Sequence, residues 1–163
     1  MSSEEFANLV IKKMLFKYMI PELSKLLGDN ASETLVYRVL REATKDVADE
    51  VKLSEKIELK DICDVFKYVY SMFGNEEVEC IEEGGKLKII VRRCPLVKMV
   101  GSEPRACLVA ASLKAGIIEG VMKKTILLET KSRRYGSPNA PIRITKVKSI
   151  VDGDEYCEFV VEE

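Results

Sequence analysis

The chain has 163 residues, 47% of them apolar and 33% charged, which suits one globular domain and excludes a disordered or fibrous chain. No histidine is present, which excludes Ser-His and Cys-His nucleophile pairs, histidine acid–base chemistry and any histidine-ligated haem or zinc. The net charge of −1 hides an uneven spread, since residues 92–148 hold 13 Lys or Arg against Glu103, Glu119 and Glu129, between acidic flanks. Such asymmetry suits an anionic partner, or else solvated strand faces written with lysine.

The first predicted element is a helix over 4–27, in which Phe6, Leu9, Val10, Lys13, Met14 and Lys17 keep a 3.6-residue period. Pro21 should kink or restart it, and Gly28 can cap its end. A second helix is expected over 31–51, with Leu35, Val39, Ala43 and Val47 as its stripe and Asp29, Asn30 or Ser32 as its cap. A third runs over 59–73 on Ile62, Phe66, Val69 and Phe73 and stops at Gly74.

Strands then take over. Segments 78–82 and 86–92 flank Gly84-Gly85, a hairpin signature, with Leu87, Ile89 and Val91 alternating against lysines. Cys94-Pro95 ends the second strand, and a loop with Gly101 and Pro104 leads to a fourth helix over 104–124. Three further strands are expected over 125–131, 142–151 and 155–161, with 132–141 as the largest loop. Helices first and a meander last describe an α+β domain, with helices packed on one face of an antiparallel sheet. The unit is a single ligand-binding domain over 1–163, of which 1–54 are N-terminal helices.

No segment is apolar enough to span a bilayer, and the acidic N-terminus does not read as a signal peptide. The expectation is a cytoplasmic protein without membrane insertion, in a reducing compartment. The five cysteines are odd in number and irregular in spacing, so no disulfide framework is expected. Cys63 and Cys80 read as core residues.

The fourth helix carries two glycines, Gly116 and Gly120, on one face with Val109, Leu113, Ile117 and Val121. Each glycine lowers helix stability by about 1 kcal/mol relative to alanine. Either another backbone packs closely there, or the missing side chains make room for a ligand. The loop at Arg133-Arg134-Tyr135-Gly136 reads as a solvated hairpin tip, or else as an anion or base contact.

Gly153-Asp154 followed by Cys157-Glu158-Phe159 resembles the closing motif of the 4-vinyl-reductase, or hydrocarbon-binding, domains, and the helix with Gly116 and Gly120 resembles that family's glycine-containing helix. The likeness covers residues 55–161, and a stand-alone archaeal member is its nearest form. It implies the fold of transport-particle subunits and haem-nitric-oxide-binding domains, with helices on an antiparallel sheet enclosing an apolar pocket. It also implies binding or sensing of a small apolar, hydrocarbon-like molecule, with Val109, Leu113, Gly116, Ile117, Gly120 and Phe159 lining the pocket and the glycines making space. Arg92 or Arg105 would meet a carboxylate head group, and a homodimer is expected.

Some members of that family hold zinc through cysteines. Cys157 matches the last of these, whereas Ser149 and Lys146 stand where a cysteine and an acidic ligand would be. The substitute set is Cys94, Cys107 and Cys157, with zinc as the cofactor. Reduction of a vinyl group would need a donor site, and no GxGxxG or GxxxxGK[ST] motif occurs. Enzyme activity is therefore not expected. The alternative function is nucleic-acid or other anionic-partner binding through the basic 92–148 segment.

Overall fold

Gly84 and Gly85 both carry positive φ, 59° and 75°, which a two-residue hairpin turn of the primed type requires. They join β1 (Val78–Glu83) to β2 (Lys86–Val91) in antiparallel register, Val78 opposite Val91. This hairpin starts a six-stranded sheet that continues through β6 (Cys157–Glu162), β5 (Ile142–Lys148), β3 (Ile126–Glu129) and β4 (Arg134–Gly136), in the order β1-β2-β6-β5-β3-β4. The computed structural model describes residues 1–50, 57–72, 77–101 and 103–163. The expected ends of the second and third helices, at Val51 and at Phe73-Gly74, lie outside them.

The N-terminal helix is continuous in three stretches: α1 (Ser3–Ile11), a π-helical stretch (Lys12–Met19) and α2 (Ile20–Leu27). Ser2 and Glu5 form a reciprocal capping box at its start. Pro21 follows directly on the π-helical stretch, so the continuous helix carries one backbone N–H fewer at that point. After Gly28 comes α3 (Asp29–Glu50), and later α4 (Ile62–Ser71), α5 (Pro95–Val100) and α6 (Ala106–Met122). Nearly every side chain of α6 is buried, polar Ser112, Lys114 and Glu119 included, which marks it as the central helix.

α6 packs Ala111, Ala115, Ile118 and Met122 among the inward residues Leu87, Ile89, Val91, Ile126, Leu128, Ile142, Ile144, Phe159 and Val161. The opposite sheet face is charged and held by ion pairs such as Lys86–Glu162 at 2.7 Å and Lys88–Glu158 at 3.8 Å. Helices thus cover one face of a mostly antiparallel sheet, as expected from the order of elements.

Four details depart from the sequence reading. The segment after Cys94 is not loop alone but the helix α5, since Pro95 can begin a helix as well as end a strand. Within the expected loop 132–141 lies β4, because the Tyr135 side chain is buried and packs on Tyr37 at 5.1 Å between ring centroids. Tyr135 is therefore core, while Arg134 and Gly136 on either side of it stay exposed. β3 pairs with β5 in parallel, since β4 occupies the position a simple meander would give to β5. Finally, Cys63 and Cys80 form a disulfide that ties α4 to β1, so these two are not free core thiols.

Candidate functional site

The two faces of α6 differ. Toward α3, an added Cβ on Gly116 would collide with the Arg41 carbonyl oxygen and lie 2.8 Å from Thr44 Cβ. One on Gly120 would lie 2.7 Å from Ala48 Cβ and 3.0 Å from the Lys45 carbonyl. The glycines let two helix backbones touch, which offsets their cost. They do not make room for a ligand, and this corrects their expected role. Beside them the buried Glu119 carboxylate accepts from Arg41 Nη1 at 3.0 Å and Lys45 Nζ at 3.3 Å, joining α6 to α3. Tyr37 packs here too; burial is the main reason its pKa is pushed up to about 12.

The other face of α6 opens on a cavity of about 80 Å³. Its walls are Phe66, Val69 and Tyr70 from α4, Cys94 to Leu96 and Met99 around α5, and Ala110, Leu113, Lys114 and Ile117 from α6. Leu113 and Ile117 stand where the sequence reading placed them, and Cys94 joins them. Val109 instead packs against Ile20 and Val36, under the N-terminal helices. The Phe159 ring contacts the cavity only through Lys114, whose Nζ lies 4.5 Å from its centroid.

Lys114 is the residue sequence reasoning missed. Its side chain is buried, and its Nζ donates to the Ala110 carbonyl of its own helix at 3.5 Å and hydrogen-bonds with the Tyr70 side chain. The Tyr70 ring sits 5.4 Å from the same nitrogen. Desolvation works against the ammonium, whereas Tyr70, Cys94 and Cys157 act in its favour, and the balance holds its pKa above the ordinary lysine value. Burial raises the Tyr70 phenol, so it stays a neutral O–H group. Burying an unpaired cation costs several kcal/mol, and cation–π contacts return about 2. The signal was present: a lone lysine among Ala110, Ile117, Ile118 and Val121 sits inside an apolar stripe, not beside it.

Two of the three expected metal residues, Cys107 and Cys157, come together. Cys107, in the first turn of α6, has its Sγ 2.7 Å from Ser149 Oγ. Gly153, at φ 95°, turns the chain so that Asp154 Oδ2 accepts from the Ser149 N–H at 2.8 Å, and the Ile150 N–H donates to Cys157 Sγ at 3.5 Å. The Cys157 thiol hydrogen-bonds to Cys107, and this, with Ser149, Lys146 and the Val151 amide, lowers the Cys107 pKa despite burial. The Cys157 thiol is pushed up for the same reason. Cys94 belongs to the cavity lining instead. Among the described residues no cluster of three or more Cys, Asp or Glu side chains is arranged to hold a metal.

A second, polar cleft of about 450 Å³ lies over Cys107, walled by Glu33, Arg105, Lys131, Tyr135, Lys146 and Asp152 among others. The two arginines expected to meet a head group are both engaged. Arg92 is exposed and forks onto Glu79 at 3.1 and 3.3 Å, and Arg105 donates to Asp29 at 3.2 Å. Neither lines the apolar cavity.

The charge asymmetry largely disappears on folding. Arg133 pairs with Glu33 at 2.7 Å, Arg134 with Glu129 at 2.8 Å, Lys146 with Asp152 at 3.5 Å, and Lys123 and Lys124 with Asp49 and Glu163. Among the described residues, Lys98 and Lys114 are the bases of the 92–148 segment with no carboxylate at ion-pair distance. Lys98 is exposed and Lys114 is buried. No helix among the described residues is long and apolar enough to cross a membrane. No protein-family model matches the chain, and no curated protein matches it.

Proposed function

We propose that this chain binds a small apolar molecule between α4, α5 and α6, as a sensor or carrier and not as an enzyme. The observation that carries the reading is the cavity itself. Apart from Lys114, Tyr70 and Cys94, its walls are hydrocarbon or thioether, and α4 is tethered to the sheet by the Cys63–Cys80 disulfide. This matches the chemistry implied by the resemblance to hydrocarbon-binding domains. It moves the pocket from the glycine face of α6 to the opposite one. At about 80 Å³ the space is well below the roughly 300–1,000 Å³ of pockets for drug-sized ligands and the roughly 150 Å³ of a cavity that encloses benzene, so it suits a short branched chain or a small ring that enters in part. Met99 on the short helix α5 gives the wall some adaptability.

The nucleic-acid reading has less support, because most bases of the 92–148 segment are committed to carboxylates within the fold. A homodimer is part of the proposal: Leu35, Val39 and Val47 leave an exposed apolar stripe along α3. Native mass spectrometry of the purified chain reads both points at once. A retained small organic molecule and a dimer mass are expected. A ligand-free chain whose methyl resonances at Leu113 and Ile117 do not respond to added toluene would refute the binding reading.

A further inference from the structure

Eleven of the 13 bases in residues 92–148 have a carboxylate partner, from Arg92 with Glu79 to Lys148 with Glu158. The fold supplies acids generously, and Glu119, one turn further along α6, receives two bases. Lys114 is the buried base left without one among the described residues. Its nearest polar neighbours are a carbonyl of its own helix and the phenol of Tyr70. It also lines the apolar cavity.

Burial without an anion disfavours such a side chain, and a methionine of similar length would pack there without that penalty. A bound anion reverses the balance: the ammonium is already desolvated, so a single negative charge placed beside it interacts strongly. The surrounding chemistry limits which anion. The walls offer one ammonium and one phenolic O–H and no arginine fork, too few donors for a phosphate or sulfate dianion. They offer hydrocarbon and aromatic rings for everything else. The Phe159 and Tyr70 faces hold the amine as a cation, the form that pairs with an anion and not the form that condenses with an aldehyde.

We propose that the ligand class is a small monocarboxylic acid with an apolar body, its carboxylate on Lys114 Nζ and the Tyr70 hydroxyl, its body against Leu96, Met99, Leu113 and Ile117. The inference rests on the proposed apolar pocket and adds the head group to it. Lys114 is then the residue that selects acids over neutral molecules of the same shape, in the place the sequence reading gave to Arg92 or Arg105.

The test compares three probes on the full chain by NMR titration: benzoate, its neutral isostere benzamide, and toluene. Wild-type protein should bind benzoate at least 10-fold more tightly than benzamide. The Lys114→Met variant should bind the two equally while keeping its affinity for toluene, and the opposite-face variant Lys123→Met should leave all three affinities unchanged. Equal wild-type affinity for benzoate and benzamide would overturn the assignment of the head group, and so would a benzoate preference that survives Lys114→Met. The wild-type comparison stands whether or not the variant folds. Toluene separates the two levels: toluene binding without benzoate preference sinks the acid alone, whereas no response to any probe sinks the pocket with it. A borohydride-trapped adduct of Lys114 with benzaldehyde would likewise overturn the cationic anchor.

Discussion

The two faces of α6 are built from the same short stretch of chain and solve opposite problems. On the α3 side, Gly116 and Gly120 remove side chains so that two backbones meet, and Glu119 finds two bases. The buried acid there has its counter-charges, although Tyr37 Oη and Arg41 Nε find no hydrogen-bond partner among the described residues. On the α4–α5 side, a turn away, the walls stand apart, and the one charged group, Lys114, has no carboxylate beside it among the described residues. Close packing on one side fixes the helix, and that rigidity makes an unfilled space on the other side tolerable. The comparison teaches that helix glycines mark where backbones touch, whereas the stranded charge marks where a ligand would enter.

Removing Glu119 should break the α3 side most severely. Glu119→Ala leaves Arg41 and Lys45 facing each other without their acid. A loss of about 3 kcal/mol is expected, at the low end of the range for one partner of a buried pair because Lys45 is a third exposed. Urea unfolding measures it. A loss under about 1 kcal/mol would show that the junction is held by packing alone.

The disulfide acts on the other side, by tying the α4 wall to β1 across 17 residues. Its reduction, or Cys63→Ala, should lower stability by about 3 kcal/mol on the loop-closure account. Thiol counting on the native, non-reduced chain should find Cys63 and Cys80 unreactive even in denaturant. Five reactive thiols under those conditions would remove the tether.

Gly116→Ala should destabilise by about 2 kcal/mol, as overpacking does, although alanine is the better helix former by about 1 kcal/mol. A gain in stability would mean that α3 and α6 do not touch as described. Lys114→Met should have the opposite sign. Without ligand it should stabilise the chain by about 1 kcal/mol, since it removes an unpaired buried cation, and a thermal melt reads the difference.

A further effect is confined to alkaline pH. Burial first, and Glu33 second, hold the Tyr135 phenol up to about 12, and burial does the same for Tyr37. In the unfolded chain both would ionise near 10. Their stabilising contribution is fully present below about pH 10 and is lost as pH rises through about 12, because the unfolded chain releases these protons first. Ultraviolet titration should show three late phenols, Tyr37 and Tyr135 on the α3 side and Tyr70 on the cavity side.

Much of the scaffold was legible because local rules decide it. Gly84-Gly85 could serve little else than a hairpin, and the alternation of Leu87, Ile89 and Val91 set the inward face. Where tertiary contacts decide, the sequence was silent. Tyr135 looks like a loop residue until Tyr37 is known to lie under it, and the parallel pairing of β3 with β5 follows from that. The closing turn at Gly153 was readable, and so was the inward aim of Cys157 and Phe159, but not that Cys94 would line the apolar cavity. Leu113 and Ile117 were found as lining residues by helical period. Lys114, between them, was passed over because a lysine is read by default as the solvent side of a helix.

The central claim, that the space between α4, α5 and α6 is a binding site for a small apolar body, is tested most directly by filling it. Ala110 lines the cavity and is nearly inaccessible, so Ala110→Leu adds hydrocarbon there without touching the α3 junction. Toluene titrated into the wild-type chain should shift the Met99, Leu113 and Ile117 methyl resonances saturably. In Ala110→Leu, folded and with the remaining methyl spectrum unchanged, those shifts should fall at least 10-fold in affinity. An Ala110→Leu variant that binds toluene as tightly as wild type would contradict the account.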